Sequence, residues 1–424
     1  MPHAVPEHPG PADKNEMLTL VAEVGNALNR SSYPVPRTTQ VIEEICAKYQ
    51  TDIVTQVFAN YIIVLDRTAN QTQITNTGSI YRFDQIADTE DVVHRVRHGQ
   101  LTPSEAIDAL QAIESSPPPV NTALRAVGYA LMALGFAFCF RMSIPATIAA
   151  VAVSIPLAGI VLWGHVKGTL AALMPVLLTF VSTLAVTLWA VHGGFEDPVR
   201  LAVIPVVTLI PGASLATGLI EITAGDMIAG TSRLVYSLVI LLSMAFGLAL
   251  AIDIAGITSS DLRDLTDSQA PAWVLGLSAP VFAIGAMLYF CTPRRLWLWV
   301  LTLAIGTFWL NALLGKVMQS AFAGGIAVGA ALLVAWAINA HVTGRPSVLS
   351  MFLPVFWLMV PGSMGFVAVS GAITADQQLG SLGTNAALSL LSMAVSMMIA
   401  SVIAPLITGQ VPQLRRTPSG ERHR

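Results

Sequence analysis

Two proline-glycine pairs, 150 positions apart, interrupt strongly apolar stretches of the sequence at Pro211 and Pro361. Proline has no amide hydrogen for the carbonyl four residues earlier, so each pair predicts a break in a helix. Amides after such a break carry the partial positive charge of a helix start and suit a carboxylate, while the freed carbonyls of Val207 and Trp357 suit an ammonium group. The candidate substrate-binding residues are Pro211, Gly212, Ala213, Ser214, Pro361, Gly362 and Ser363.

Charged side chains follow the first break closely. Glu221 and Asp226 lie ten and fifteen positions after Pro211, and Arg233 lies seven positions after Asp226, two turns further on if the segment is helical. A carboxylate there can take up a coupling proton, with Arg233 adjusting its proton affinity. Asp253 is a fourth candidate for proton coupling, near the predicted end of a helix. The alternative is that these charges lie only at helix ends, with Arg233 as a positive anchor.

Other chemistry is weakly indicated. His94 and His98 are four positions apart on a predicted helix, but no third metal ligand is apparent, so a solvated helix face is the preferred interpretation. Asp88, Glu90 and Asp91 are likewise interpreted as solvated helix charges. The sequence contains no nucleophile-elbow, phosphate-loop or zinc-protease motif, and its three cysteines are scattered. We therefore predict no catalytic residue, no cofactor and no metal.

Composition divides the chain into two parts. Of its 424 residues 54% are hydrophobic and only 11% are charged, against about 25% charged in soluble proteins. The first 120 residues hold 8 basic and 15 acidic side chains, whereas residues 121–410 hold only 10 and 9. This distribution predicts a soluble domain followed by a polytopic membrane domain. The net charge of −3 argues against a nucleic-acid partner.

The hydrophobic stretches predict ten membrane-spanning helices of about 20 residues each. They are 122–140, 145–163, 170–191, 199–220, 230–254, 272–290, 295–314, 320–340, 347–370 and 383–408. Ten spans place both ends of the membrane domain on one side. If the first domain is cytoplasmic, the inside Lys and Arg are Arg125, Lys167, Arg233, Arg294, Arg295, Arg345, Arg415, Arg416, Arg422 and Arg424. The outside ones are only Arg141, Arg200, Arg263 and Lys316, so the positive-inside rule predicts cytoplasmic termini.

Each proline-glycine pair falls in the fourth of five successive spans. Because five is odd, the second set must cross the membrane in the opposite sense, which is the arrangement of an inverted repeat with broken helices at corresponding positions. An ordinary proline kink is the alternative for each break. The predicted plan is a disordered start at 1–13, a cytoplasmic α+β domain at 14–120, five-helix repeats at 121–255 and 256–410, and a cytoplasmic tail at 411–424.

The spacing of apolar residues predicts the secondary structure of the cytoplasmic domain. Apolar residues at helical spacing predict helices at 18–28 and 35–49, and β-branched and aromatic residues over 52–67 and after it predict three strands. Two helices close the domain. In the second of them Thr102, Pro103 and Glu105 form a capping-box pattern, so we expect a small sheet packed with helices.

Several segments together resemble the threonine/serine exporter family. They are EVGNALNRSSYPVPRTTQVIEEIC, LTPSEAIDALQAI and, most specifically, LIPGASLATGLIEITAGDMIAGTSRL at 209–234. The last is similar to the family's proline-glycine segment with its following acidic and arginine positions. The resemblance covers nearly the whole chain.

This resemblance implies an exporter of threonine and serine in the bacterial inner membrane, driven by the proton gradient. Some relatives are associated with export of dicarboxylates such as succinate, which is the alternative substrate class. A membrane-anchored hydrolase and a signalling receptor are the alternatives from other classes. The missing nucleophile and metal motifs count against the hydrolase, and the paired helix breaks have no obvious purpose in a receptor. Assembly into homo-oligomers is left open.

Overall fold

The computed structural model of the chain is mostly helical with one small sheet, as the sequence predicts. The residues that the structure describes are 11–163, 169–193, 198–256, 270–342, 346–359 and 377–408. The second proline-glycine pair, Pro361 with Gly362, and the following Ser363 lie outside them.

The N-terminal domain contains four helices and a three-stranded antiparallel sheet in the order β1-β2-β3. Its elements are α1 (Pro11–Arg30), α2 (Val35–Lys48), β1 (Ile53–Val57), β2 (Tyr61–Asp66), β3 (Gln71–Asn76), α3 (Phe83–Arg97) and α4 (Pro103–Ser115). Helix α1 begins before the predicted 18 and overlaps the last three residues of the segment 1–13 that we expected to be disordered. Proline suits the first turn of a helix, which accounts for a start at Pro11.

The sheet forms because β2 alternates between buried and half-buried positions along its length. Ile62 and Val64 are fully buried, and Gly25 of α1 lies so close to Ile62 that a Cβ at Gly25 would approach its Cδ1 atom to 2.6 Å. The capping box at α4 is present, with the Glu105 amide donating to Thr102 Oγ1 at 3.3 Å and the Thr102 amide donating to Glu105 Oε2 at 2.8 Å. Alternation and local capping therefore account for this domain.

The remaining helices are α5 (Thr122–Cys139), α6 (Ile144–Trp163), α7 (Thr169–Gly193), α8 (Pro198–Val203), α9 (Gly212–Thr223), α10 (Met227–Ile254), α11 (Leu275–Tyr289), α12 (Trp297–Leu314), α13 (Ser320–His341), α14 (Val348–Met359) and α15 (Gln377–Thr408). Among the described residues, six helices are long and apolar enough to cross a membrane, and the bent pair formed by 201–209 and 212–223 would add a seventh. Three more apolar helical stretches are shorter. Each of these three shorter stretches lies within a predicted span, but the total of ten spans remains a prediction.

Helices α5 and α11 pack against each other through glycines. A Cβ on Gly128 would lie 2.7 Å from the carbonyl oxygen of Gly285, and one on Gly285 would lie 2.6 Å from the amide nitrogen of Met132. Similarly, a Cβ on Gly135 would lie 2.7 Å from Phe282. Small residues let membrane helices approach this closely, so the two backbones are in direct contact.

The same two helices end in the same way. After α5, Arg141 has a φ of 53° and the amide of Met142 donates to the Ala137 carbonyl at 3.0 Å. After α11, Cys291 has a φ of 58° and the amide of Thr292 donates back to the helix in the same register, at 2.8 Å. Both ends are left-handed caps of the Schellman type, although neither carries the usual glycine.

Candidate functional site

The helix is interrupted at the first proline-glycine pair, while the chain continues. A 3₁₀-helix over Ile204–Leu209 precedes it, α9 follows it, and the two parts of the bent pair meet at 65°. Pro211 has φ −76° and ψ 54°, and the Gly212 amide donates to the Ile210 carbonyl at 2.7 Å, which is an inverse γ-turn. The Val207 carbonyl accepts from the Ile210 amide at 3.3 Å. The predicted break is therefore present, but the Gly212 amide and the Val207 carbonyl bond within it.

The amides that begin α9 remain available to a ligand. The amides of Ala213 and Ser214 belong to the first helical turn, which has no intrahelical acceptor, and they have no acceptor among the described residues. The indole of Trp357, on α14, lies directly against Gly212, where a Cβ would overlap its Nε1 and Cδ1 atoms. That Nε1 atom is buried and has no acceptor within the described part of the chain. Three N–H donors thus meet at this break.

A stack of aromatic rings joins this break to the N-terminal domain. Trp357 stacks on Phe290 with ring centroids 4.4 Å apart, and Phe290 stacks on Phe83, the first residue of α3, at 5.0 Å. The Phe83 amide also donates to the Phe290 carbonyl at 3.0 Å. Stacked rings add to the free energy of burial, so this contact fixes α3 beside the broken helix.

A tight helical hairpin carries the charged residues. Gly225, with a φ of 88°, ends α9, and the Asp226 carboxylate accepts from the Ala229 amide at 3.1 Å at the start of α10. Gly218 and Gly230 let the two helices touch, because a Cβ on Gly230 would lie 2.8 Å from the Gly218 carbonyl oxygen. The structure therefore gives Asp226 a capping role, which is a common use of aspartate at this position.

Glu221 and Arg233 form a buried ion pair across this hairpin. Arg233 Nε donates to both carboxylate oxygens of Glu221, at 3.2 Å to Oε1 and 3.0 Å to Oε2. The Glu221 side chain is completely buried and that of Arg233 is 14% exposed. The amide of Val35, which begins α2, also donates to Glu221 Oε1 at 3.0 Å. One carboxylate thus binds both α10 and the N-terminal domain.

More contacts hold the N-terminal domain on α9. Thr217 Oγ1, one turn before Glu221, donates to the Ser32 carbonyl at 3.1 Å. Ala213, one turn earlier again, and Leu353 of α14 belong to the same hydrophobic cluster as the core of the N-terminal domain. One face of α9, from its first turn to its last, therefore lies against this domain.

Glu90 of α3 forms a second polar contact between the two parts. Its Oε1 accepts from the Tyr33 hydroxyl at 2.7 Å and from the Ser347 hydroxyl, just before α14, at 3.0 Å. Burial raises the pKa of Glu90 to about 7, although these two hydrogen bonds and the positive charges of Arg295 and Arg37 oppose the shift. The interpretation of Glu90 as a solvated helix charge was wrong. Its neighbours Asp88 and Asp91 are exposed, and charge spacing alone could not separate it from them.

The remaining candidates lie apart from the break. Asp253 is exposed near the end of the 28-residue helix α10, whereas Arg233 lies in its second turn. The rings of His94 and His98 lie with centroids 4.2 Å apart on α3. Within the described ranges there is no group of three or more His, Cys, Asp or Glu side chains that could hold a metal ion. The structure therefore places Gly212, Ala213 and Ser214 at the start of α9 and pairs Glu221 with Arg233 near its end, whereas Asp253 lies apart. The Ser214 hydroxyl donates to the Arg233 carbonyl at 3.4 Å and so links the two groups.

Comparison with known proteins gives one family. The family model described as threonine/serine exporter matches residues 19–255, which is more than half of the chain. The match includes most of the N-terminal domain, the helix break and the α9–α10 hairpin. Neither the curated proteins nor the solved structures contain a match to this chain.

Proposed function

Since the chain belongs to the threonine/serine exporter family, we propose that it exports threonine and serine in exchange for protons. Family membership and the apolar helices make it a multi-pass membrane protein, and the family implies transport and not catalysis. Its place in a bacterial inner membrane, which the family resemblance implies, and its cytoplasmic termini, which the charge count predicts, stay predictions. The observation that carries the proposal is the broken helix at Pro211 beside the buried pair of Glu221 and Arg233.

The substrate carboxylate would bind where α9 begins. The amides of Ala213 and Ser214 and the Trp357 Nε1 atom provide donors there, and the helix start favours a negative charge by about 0.3–1 kcal/mol. Pro211 and Gly212 shape the turn that presents these amides. Pro361, Gly362 and Ser363 lie outside the described residues and stay candidate substrate-binding residues, because transporter repeats carry interrupted helices at corresponding positions.

Glu221 is the best-supported proton carrier of the four candidates. Protonation would remove the charge that holds Arg233 Nε and would weaken the bond from the Val35 amide. The proton would thereby loosen both the α9–α10 hairpin and the contact with the N-terminal domain. Asp226 would act as the helix cap, and Asp253 is exposed near the far end of α10, with no ion pair among the described residues.

The ion pair between Arg233 and Glu221 favours an amino acid over a dicarboxylate as the substrate. A dicarboxylate needs a second cationic group, and Arg233 is the candidate that the sequence offers near the break. Its Nε atom is held by Glu221, whose carboxylate already balances the charge of the guanidinium, and its Nη2 atom is buried without an acceptor in the described part of the chain. A zwitterion requires no such second cation.

We also infer that the two halves form an inverted repeat, and contacts between α5 and α11 support it. If a two-fold axis relates positions 150 apart, each contact must have a reciprocal one. Gly135 contacts Phe282. Gly285 lies 150 positions after Gly135 and Met132 lies 150 positions before Phe282, and these two residues also contact each other.

The ends of the two helices give two more reciprocal pairs. Gly128 contacts Tyr289, and the Cys139 thiol lies close to the Ser278 side chain. The Ala270 amide donates to the Arg141 carbonyl at 3.0 Å, and Arg141 Nε donates to the Ala270 carbonyl at 2.9 Å.

The reciprocal of that last pair is the close approach of the Val120 backbone to the Cys291 thiol. Across these contacts, the residue numbers on the α5 side increase from 120 to 141, while those of their contact partners on the α11 side decrease from 291 to 270. The helices are therefore antiparallel, as an axis in the membrane plane requires and a parallel repeat does not.

Transport by the purified protein in liposomes tests the proposed function. Liposomes loaded with unlabelled threonine should take up radiolabelled threonine and serine, and a pH gradient should drive net transport of both. Radiolabelled succinate in the same liposomes tests the alternative substrate class. Succinate exchange without threonine exchange would contradict the proposal, and so would threonine transport that ignores the pH gradient.

A further inference from the structure

Helix α7 has an unusual polar face. Its exposed side is apolar and includes Leu173, Leu177, Val181, Leu188 and Trp189. Its buried side consists of Leu178, Thr179, Ser182, Thr183, Val186 and Thr187, so four of these six side chains carry a hydroxyl, and all four are completely buried. In membrane helices polar side chains turned inward pack against other helices or line a polar passage.

These four hydroxyls differ in their hydrogen bonding. Thr179 Oγ1 donates to the Pro175 carbonyl of its own helix at 2.7 Å, as Ser and Thr commonly do in helices. Ser182, Thr183 and Thr187 have no hydrogen-bond partner among the described residues. We call these three residues the hydroxyl row. A buried hydroxyl without a partner is unfavourable, so packing alone gives no reason for three of them.

The hydroxyl row lies at the level of the 3₁₀ segment that precedes the break. Helix α7 packs against both α8 and this 3₁₀ segment, and only four residues connect α7 to α8, so the two helices form an antiparallel hairpin. From standard helix rises Thr183 lies about 15 Å before the end of α7, and Val207 lies about 15 Å after the start of α8. The row therefore lies at the depth of the chain that leads into Pro211, on the buried side of α7, which packs against α8, the 3₁₀ segment and α10.

The corresponding helix of the second half lacks such a row. The residues 150 positions after Thr179, Ser182, Thr183 and Thr187 are Gly329, Leu332, Leu333 and Ala337 on α13. Gly329 packs tightly, because a Cβ there would lie 2.8 Å from Ser396 of α15. A helix in this position thus packs without hydroxyls, so the row is not a requirement of the architecture.

We propose that Ser182, Thr183 and Thr187 line the solute path of the first half and hydrogen-bond the ammonium and hydroxyl groups of a hydroxylated amino acid. The proposal rests on the proposed function and adds a binding surface on α7 to the carboxylate site at α9. A hydroxyl both donates and accepts, so it serves the substrate hydroxyl as well as its ammonium group. Neutral hydrogen bonds are also weak enough for a solute to leave again, which transport requires.

The test replaces the hydroxyls by groups of similar size. Thr183→Val, Thr187→Val and Ser182→Ala are assayed singly and together in proteoliposomes for threonine exchange. Each should raise the KM for threonine about two- to ten-fold, the equivalent of one neutral hydrogen bond. Thr183→Ser keeps the hydroxyl and should restore the wild-type KM. The matched control is Thr179→Val, which removes a buried hydroxyl already bonded to its own helix and should leave the KM unchanged.

Thermal stability provides the second measurement. Because the hydroxyl row has no partners within the described part of the chain, Thr183→Val should raise the Tm or leave it unchanged, so a higher KM cannot be attributed to misfolding. An unchanged KM in the Val and Ala variants of an active protein would overturn this inference alone. A wild-type protein that transports neither threonine nor serine would overturn the proposed function and, with it, this inference.

Discussion

At the scale of single residues, Gly212 has the most demanding position in the site. It lies in the turn at Pro211 and in contact with the Trp357 indole, so it determines how closely α9 approaches α14. Any side chain here must displace a ring that is itself stacked on Phe290 and Phe83. The requirement is for the absence of a Cβ and not for an unusual backbone angle.

We therefore expect Gly212→Ala to cost about 1–3 kcal/mol in stability and to reduce transport sharply, since overpacking forces neighbouring side chains to move. The control is Gly306→Ala on α12, where a Cβ would meet no atom within 4 Å. That variant should be as stable as the wild type or slightly more stable. Thermal unfolding and threonine exchange of both variants measure the difference. Equal behaviour of the two would show that the contact with Trp357 does not restrict the site.

At the scale of elements, α3 connects the N-terminal domain to the membrane helices through Glu90. The pKa of this carboxyl is about 7 in the folded protein, against 4.5 for the group in water. The folded state therefore binds the proton more tightly, so the stabilisation is complete below about pH 4.5 and is lost as the pH rises to about 7. Tyr33 and Ser347 face Glu90, together with the charges of Arg295 and Arg37.

This linkage predicts that the contact between the N-terminal domain and α14 weakens as the pH rises from 6 to 8. Hydrogen exchange of the amides in α3 should be slower at the lower pH after correction for the intrinsic rate. Glu90→Gln is uncharged throughout and should remove this pH dependence while keeping the hydrogen bonds. A pH dependence that persists in Glu90→Gln would assign the effect to another group.

At the scale of the whole molecule, the sequence predicted the features that local patterns encode. The small sheet follows from alternation in β2, the capping box from Thr102 and Glu105, and the helix break from Pro211. Contacts between distant segments were missed. The sequence did not indicate that Val35 bonds Glu221 or that Glu90 bonds Ser347, because each pair is more than 180 positions apart and no spacing rule relates them.

The break itself also differs from its prediction at the atomic level. Removing the proline amide was expected to free the Val207 carbonyl, but a tighter 3₁₀ bond from Ile210 takes it. The sequence pointed to the carbonyl of Trp357, whereas the structure brings its indole N–H to the site. Propensity rules locate a break, but the packing of other helices decides which donors line it.

The central claim is that Glu221 couples protons to transport. In Glu221→Gln the side chain keeps its shape and can still accept from the Val35 amide and Arg233, but it cannot bind a proton. We measure two rates in the same proteoliposomes, namely threonine exchange at equal pH and threonine transport driven by a pH gradient. The matched control is Asp226→Asn, which keeps a helix cap and should leave both rates near wild type.

We expect Glu221→Gln to retain threonine exchange but to lose at least ten-fold in gradient-driven transport. Gradient-driven transport by Glu221→Gln at the wild-type rate would contradict this expectation.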